Sequence, residues 1–451
     1  MSRPRCNPSR RTFIATAAAA LAAPAALTRR LTGFAAPELS LPPLLARPTV
    51  SSILVQARNG RDEVSATVDV LKSLTGKRVV QTQAVGAMPG DFLEWPITGL
   101  APGTRYQYRI RLKAEGGPES IVAHGGFITP RGRGESFTAA LITDPHTGTF
   151  AEGSPEVQVM DDVVRNVGRD NPDFVIGLGD NVAWSTSRDE GQKSADAAEQ
   201  AYEMYRRHLG PLTAYTPHFS AIGNWEGESG KFPQESIDLV RAVRRRFVPN
   251  PNQQTYPQGG SAEEDYYAFT WGPALFVILN VQSYTRASAP LALPTAADVV
   301  RVEDWTLGPT QLSWLEQTLK DSDSSFKFLC IHHAVGGNGG NSGDTLYGRG
   351  GARAASVGEQ RIVHQLMQHH GVQVFFYGHD HVFVDDVVDG IHYALPGSFG
   401  APWHFSSDLT GYARSWSDSG HARLTVDPHG ARVEFVNQAG RAFHSFTVEP
   451  K

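Results

Sequence analysis

Strongly apolar runs recur after residue 130, at 137–143, 173–179, 218–223, 274–280, 326–333 and 372–377. Mixed stretches with apolar residues at helical spacing lie among them, at 155–167, 195–209, 309–319 and 359–370. Continuous apolar strands interspersed with amphipathic helices predict sheets covered on their faces. Before residue 130 the texture differs. Short β-like segments at 52–57, 64–70, 78–84, 93–97, 106–112 and 126–129 are broken by turns. That spacing predicts a β-sandwich. Residues 391–394, 422–426, 432–437 and 443–448 return to β and are expected to complete the second sheet of the later domain. The chain therefore reads as α+β, a sandwich followed by a sheet-and-helix domain.

The N-terminus falls outside this pattern. Residues 1–36 hold six Arg and no acid, with an apolar, Ala-rich run from Phe13 to Leu27. That run is shorter than the about 20 residues a membrane-spanning helix needs. A basic start, a short apolar middle and small residues at Ala35-Ala36 predict an export signal. The pair Arg10-Arg11 before Phe13 resembles a twin-arginine signal, which implies a periplasmic or secreted protein. The expected organisation is an export signal over 1–36, a Pro- and Leu-rich linker over 37–47, the sandwich over 48–130 and the second domain over 131–451. No Cys follows the apolar run, so no lipid anchor is expected there.

Charge and cysteine content narrow the partners. Losing the six Arg of the signal takes the formal net charge from −5 to −11. A net charge of −5 is too mild to argue for a nucleic-acid or membrane partner, and an acidic mature chain would need local positive charge to hold a phosphate substrate. Of the two Cys, Cys6 leaves with the signal and Cys330 lies in an apolar run, which predicts a buried, inert thiol. The 45 Gly and 29 Pro carry no Gly-X-Y period, which excludes collagen. Many of the Gly fall in a rich loop at 334–355.

The chemistry sits where the apolar strands end. Residues 137–143 run into Asp144-Pro145-His146, and 173–179 into Asp180-Asn181. Residues 218–223 run into Asn224-Trp225-Glu226, and 326–331 into His332-His333. Residues 372–377 run into Gly378-His379-Asp380-His381. Strand carboxyl ends are where such sheets build sites. On an extended segment residues i and i+2 share a face, so Asp144 and His146 are expected to reach one cavity, as are His379 and His381. Two carboxylates, four imidazoles and one amide exceed the about four ligands of one zinc and suit two metal ions.

The order Asp144-x-His146, Gly179-Asp180, Gly223-Asn224, His332 and Gly378-His379-x-His381 resembles the calcineurin-like metallophosphoesterases. With the sandwich in front, the whole is similar to their purple-acid-phosphatase-like branch. The segment from Leu100 to Ile110 resembles a fibronectin type III turn in which Tyr106 anchors a corner to nearby backbone. The resemblance implies two stacked mixed sheets flanked by helices. It implies two metal ions (Zn, Mn or Fe), the first held by Asp144, His146, Asp180 and His381. The second would be held by Asp180, Asn224, His332 and His379, with Asp180 bridging. It implies hydrolysis of a small-molecule phosphate ester by attack of a metal-bridging hydroxide. A monoester is the expected substrate. A diester, or a metal-binding protein with weak turnover, is the alternative.

Two departures from the family pattern shape the remaining expectations. The family has His after the Asn where this chain has Trp225, so the proton donor to the leaving group is missing. His333, Asp380 and Glu226 are the candidate replacements, and Trp225 becomes a candidate substrate-stacking residue. Ala183 stands where purple acid phosphatases carry the Tyr that colours them, so a colourless protein is expected. Arg349 and Arg353 of the Gly-rich loop are candidate phosphate-binding residues, and His404 after Gly400 is a candidate to line the substrate pocket.

Overall fold

The computed structural model describes residues 37–72, 76–83, 85–183, 194–228, 234–283, 306–333, 359–400, 412 and 414–451. Among the described residues eight strands come first: β1 (Leu39–Thr49), β2 (Ser52–Asn59), β3 (Val64–Leu71), β4 (Arg78–Gln81), β5 (Val85–Ala87), β6 (Phe92–Thr98), β7 (Arg105–Ala114) and β8 (Glu119–Ile128). They form two sheets, β1-β2-β6 and β4-β3-β7-β8, with β5 also on β3. Leu45, Val55 and Trp95 of the first sheet meet Val68, Tyr108 and Ile110 of the second in one buried core. The alternation in β7 is clean, with Tyr106, Tyr108, Ile110 and Leu112 all turned inward. The Tyr106 hydroxyl accepts from the Ala101 N–H at 2.9 Å, the corner contact expected of this turn.

The expected linker is strand β1. Leu41, Leu44, Leu45 and Ala46 are buried, and the strand pairs antiparallel with β2. Pro42 and Pro43 made the segment read as a linker, because proline cannot donate to a ladder. They sit on an edge strand, at a break in register between Leu41 and Leu44. Their carbonyls are used instead by the next domain. Arg206 Nη2 donates to Pro42 O at 2.8 Å and Thr213 Oγ1 to Pro43 O at 3.2 Å.

Five helices and thirteen strands follow among the described residues: α1 (Pro155–Asp170), α2 (Ala195–Thr213), α3 (Gln234–Phe247), α4 (Gly308–Asp321) and α5 (Glu359–His369). The strands are β9 (Phe137–Ile142), β10 (Phe174–Gly177), β11 (His218–Ser220), β12 (Tyr267–Trp271), β13 (Ala274–Ile278), β14 (Phe326–Cys330) and β15 (Val374–Phe376). They continue as β16 (Phe383–Val388), β17 (Ile391–Pro396), β18 (Ser415–Trp416), β19 (Gly420–Asp427), β20 (Gly430–Asn437) and β21 (Ala442–Val448). One sheet runs β11-β10-β9-β19-β20-β21 and the other β12-β13-β14-β15-β17-β16-β18. Both mix parallel and antiparallel pairs. The last strands therefore divide. β17 joins the second sheet, whereas β19 to β21 extend the first beside β9.

Strand periodicity sorts the layers. Phe137, Ala139 and Leu141 of β9 face the buried space between the sheets, together with Phe276 and Phe328 of the other sheet. Ala140 and Ile142 face the opposite way, onto Val163 of α1 and Tyr205 of α2. Leu275 and Val277 of β13 face Leu315 of α4 and Val363 of α5. The α+β architecture is thus two stacked mixed sheets with helices outside, preceded by a sandwich.

The sandwich is fastened to α2 and α3 by buried polar contacts. Arg206 has no exposed surface. Its Nη1 donates to Gln56 Oε1 and Phe247 O, both at 2.7 Å. Gln56 Nε2 donates to Arg246 O at 2.9 Å, and Tyr108 Oη to Ala214 O at 2.9 Å. A Cβ on Gly210 would stand 2.3 Å from the Pro42 ring, so the helix backbone packs directly against that proline of β1.

Candidate metal centre

The loops after β9, β10, β11, β14 and β15 meet at one edge of the two sheets. Asp144 N donates to Gly179 O and His146 N to Asp180 O, both at 3.1 Å, and Gly378 N donates to His332 O at 2.9 Å. These bonds lace the loops together before any side chain is counted. The backbone there is unusual. Asp144, His146, Asp180, His379 and His381 all have φ between 48° and 80°, in the left-handed region. Non-glycine residues held there cost about 1–3 kcal/mol each and concentrate at functional sites. The convergence of Asp144 with His146, and of His379 with His381, thus comes from these left-handed turns beyond the strands. The expected strand alternation is not its cause.

Each carboxylate has one oxygen committed to the protein and one turned to imidazoles. Asp144 Oδ2 accepts from Thr143 Oγ1 at 2.6 Å and from the His379 N–H at 2.8 Å. Asp144 Oδ1 is buried and accepts no hydrogen bond. It faces Nε2 of His381 at 3.3 Å and of His146 at 3.5 Å. Asp180 Oδ1 accepts from the Trp225 N–H at 2.8 Å. Asp180 Oδ2 faces Nε2 of His332 at 3.2 Å and of His146 at 3.6 Å. His332 Nδ1 lies 2.9 Å from Leu178 O, a contact that puts its proton on Nδ1 and turns Nε2 inward. Asn224 Oδ1 lies 3.0 Å from His332 Nε2 and 2.9 Å from His379 Nδ1. His146 Nε2 and His381 Nε2 are 3.0 Å apart.

All seven residues predicted as ligands are buried and brought together. Burial disfavours the Asp144 carboxylate, but the imidazoles of His381 and His332 more than offset it and hold its pKa below the usual range. Asp180 is likewise held low, with His332 opposing burial. Burial also disfavours charge on His332, yet Asp180 and Asp144 raise its pKa to about 9. His146 goes the other way, lowered chiefly by burial. A buried pair of carboxylates that draws a proton onto His332 is a site that favours positive charge. The orphaned Asp144 Oδ1 and the facing ring nitrogens fit divalent or trivalent metal ions with nitrogen and oxygen ligands.

The structure separates the other candidates. His333 is inside, with Nε2 3.2 Å from His379 Nδ1 and Nδ1 against the Gln282 amide. Asp380 Oδ2 accepts from the Tyr412 hydroxyl. Trp225 is half-buried, its ring edge-on to His146 at 6.4 Å between centroids. Glu226 is not placed as a proton donor. It is buried, and its carboxylate is taken up by Tyr202, Asn181 and the Gly223 N–H. Burial raises its pKa and the Gly223 bond opposes that rise. Arg349, Arg353 and His404 lie outside the described residues. Sequence reasoning missed Thr143, Gln282, Tyr412 and Tyr202, none of which carries a motif. Only the packing reveals them.

A profile of the calcineurin-like phosphoesterases matches residues 137–383, more than half of the chain, and spans every residue of this cluster. The chain belongs to the calcineurin-like phosphoesterase family. This phosphoesterase is a metal-dependent phosphoric ester hydrolase. Its fold is similar to that of purple acid phosphatase PPD1 from yellow lupin (Lupinus luteus) seeds, at 16% identity and a TM-score of 0.67 over 90% of this chain and 74% of that one. It is similar also to PhoD, at 16% identity and a TM-score of 0.69 over 92% of this chain and 90% of that one. No curated protein matches the phosphoesterase. Among its described residues no helix is long and apolar enough to cross a membrane.

Proposed function

We propose that the phosphoesterase is a dinuclear enzyme that hydrolyses small phosphate monoesters after export by the twin-arginine route. The observation that carries the dinuclear reading is Asp180, whose outward oxygen stands between His332 and His146, each of which belongs to a different set of donors. Asp144, His146 and His381 would hold one ion with Asp180. Asn224, His332 and His379 would hold the other with Asp180. Bound there, two such ions supply a nucleophile at neutral pH and clamp the attacking and leaving oxygens of an in-line displacement.

The protein's own part is orientation. Thr143 and the His379 N–H hold Asp144, the Trp225 N–H holds Asp180, and Leu178 O sets the His332 tautomer. Each prevents a ligand from turning to an unproductive rotamer. On this reading His333 is the proton donor to the leaving group, with Gln282 steering its ring. The location, periplasmic or secreted, is supported by Arg10-Arg11 and the apolar run that follows.

Trp225 favours a second reading. An indole where the family places an imidazole offers no proton, and its half-exposed ring suits an aromatic group on a diester. Reconstitution of residues 37–451 with Zn, Mn or Fe, followed by assay on nitrophenyl phosphate and bis-nitrophenyl phosphate, separates the two. Faster monoester turnover supports the phosphatase. Faster diester turnover replaces it with a phosphodiesterase.

A further inference from the structure

Glu226 ends the short 3₁₀ turn Asn224–Glu226 and lies two residues beyond the proposed ligand Asn224. Three donors converge on its carboxylate. Tyr202 Oη donates to Oε1 at 3.0 Å, Asn181 Nδ2 to Oε1 at 3.1 Å, and the Gly223 N–H to Oε2 at 3.0 Å. The donors come from three places: helix α2, the residue after Asp180, and the residue before Asn224. Asn181 Nδ2 also donates to Ser220 Oγ at 2.7 Å, which ties the same knot to β11. The two loops joined here have no slack. A Cβ on Gly223 would lie 2.0 Å from Asp180 N.

We propose that Glu226 is a positioning residue that fastens the Asn224 turn to the Asp180 loop and thereby sets the affinity of the second metal site. The proposal rests on the dinuclear reading and deepens it. Asn224 is a neutral ligand, so its contribution depends on its amide oxygen being held in place. The turn that carries it has only three residues and makes no strand or α-helix bonds of its own. The buried carboxylate supplies what the turn lacks, acceptors for donors on both sides. The Asp144, His146 and His381 side chains are held instead by Thr143 and the His379 N–H, and this turn reaches their site only through Asp180, whose Oδ1 accepts from the Trp225 N–H. Loss of Glu226 therefore weakens the two sites unequally.

The test is calorimetric titration of the metal-free full chain with Mn²⁺ alone, with the melting temperature of the metal-free protein measured alongside. The wild type is expected to take up two ions. Glu226→Ala is expected to keep the first and to bind the second about 10–100-fold more weakly, the range for loss of a group that orients a ligand. Glu226→Gln, which keeps the shape and one acceptor, is expected to recover part of that affinity. Wild-type affinity at both sites in Glu226→Ala overturns the proposal. Equal weakening at both sites, in step with a lower melting temperature, also overturns it, because that is a merely structural role. Should Glu226→Ala not fold, Glu226→Gln decides, and unchanged second-site affinity overturns the proposal. A wild type that binds fewer than two ions overturns the dinuclear reading itself.

Discussion

Replacing Gly223 by Ala tests whether contact between the Asn224 and Asp180 loops sets activity. Gly223 has φ −93°, which any residue adopts, so backbone strain is not the obstacle. Space is. A Cβ there would stand 2.0 Å from Asp180 N and 2.1 Å from Asp180 Oδ1, where real Cβ contacts stay beyond 3.0 Å. Relief requires a shift of about 1 Å, and both obstructing atoms belong to the proposed bridging residue. Overpacking of this kind costs about 1–3 kcal/mol. A misplacement near 1 Å costs about 10²-fold in rate. Gly223→Ala is therefore expected to lose about a hundredfold in kcat on nitrophenyl phosphate and to bind metal more weakly. Its melting temperature should fall by only about 2–4 °C per kcal/mol. Gly168→Ala is the control. That residue is exposed near the end of α1, with nothing within 4 Å of an added Cβ. It should stabilise the protein by about 0.5–1 kcal/mol and leave kcat unchanged. A Gly223→Ala enzyme with wild-type turnover and metal content would refute the reasoning.

Three further outcomes are expected. Trp225→His should raise turnover of alkyl monoesters, by up to about 10²-fold if no other group protonates the leaving group; no change would mean that His333 already serves. Gly125→Ala should destabilise the whole chain, because its Cβ would stand 2.0 Å from Ala214 O and 2.5 Å from Tyr108 Oη, at the seam between sandwich and helix α2. Thermal melting reads that loss, and an unchanged melting temperature would show the seam to be soft. Asp170 has its charged form disfavoured by burial but held by His421 Nε2 at 2.8 Å and Arg423 Nη1 at 2.6 Å, so its pKa lies below the ordinary value. Its contribution is present above the unfolded carboxylate pKa of about 3.9 and is lost as pH falls. Asp170→Asn should thus destabilise at pH 7, with a gap to wild type that begins to narrow only below about pH 3.9 and closes as pH falls through the lowered folded pKa; a constant gap contradicts the assignment.

The layers of the catalytic domain were legible because buried strands such as Phe137–Ile142 read as apolar runs, and helices such as Pro155–Asp170 carry an apolar stripe. The ligands were legible because each of five runs ends in a metal-competent side chain. What sequence did not reveal depended on distant partners. Strand β1 read as a linker because its prolines were judged by their missing donors. Their value lies in carbonyls that Arg206 and Thr213 reach from a helix more than 160 positions away. Helix α3 was not foreseen. Its buried Ile237, Val240, Val243 and Phe247 form a narrow stripe among Arg244, Arg245 and Arg246. Glu226 read as an acid beside the site, and only the arrival of Tyr202 and Asn181 makes it a clamp. The left-handed turns at the ligands have no sequence signature, since Asp and His fill them without glycine.

The central claim is that seven side chains hold two metal ions, with Asp180 between them. Anomalous diffraction from crystals of the Mn²⁺-loaded protein tests it most directly. Two peaks are predicted, one among Asp144, His146 and His381 and one among Asn224, His332 and His379, both in contact with Asp180. A single peak, or a second peak that does not touch Asp180, would contradict the account.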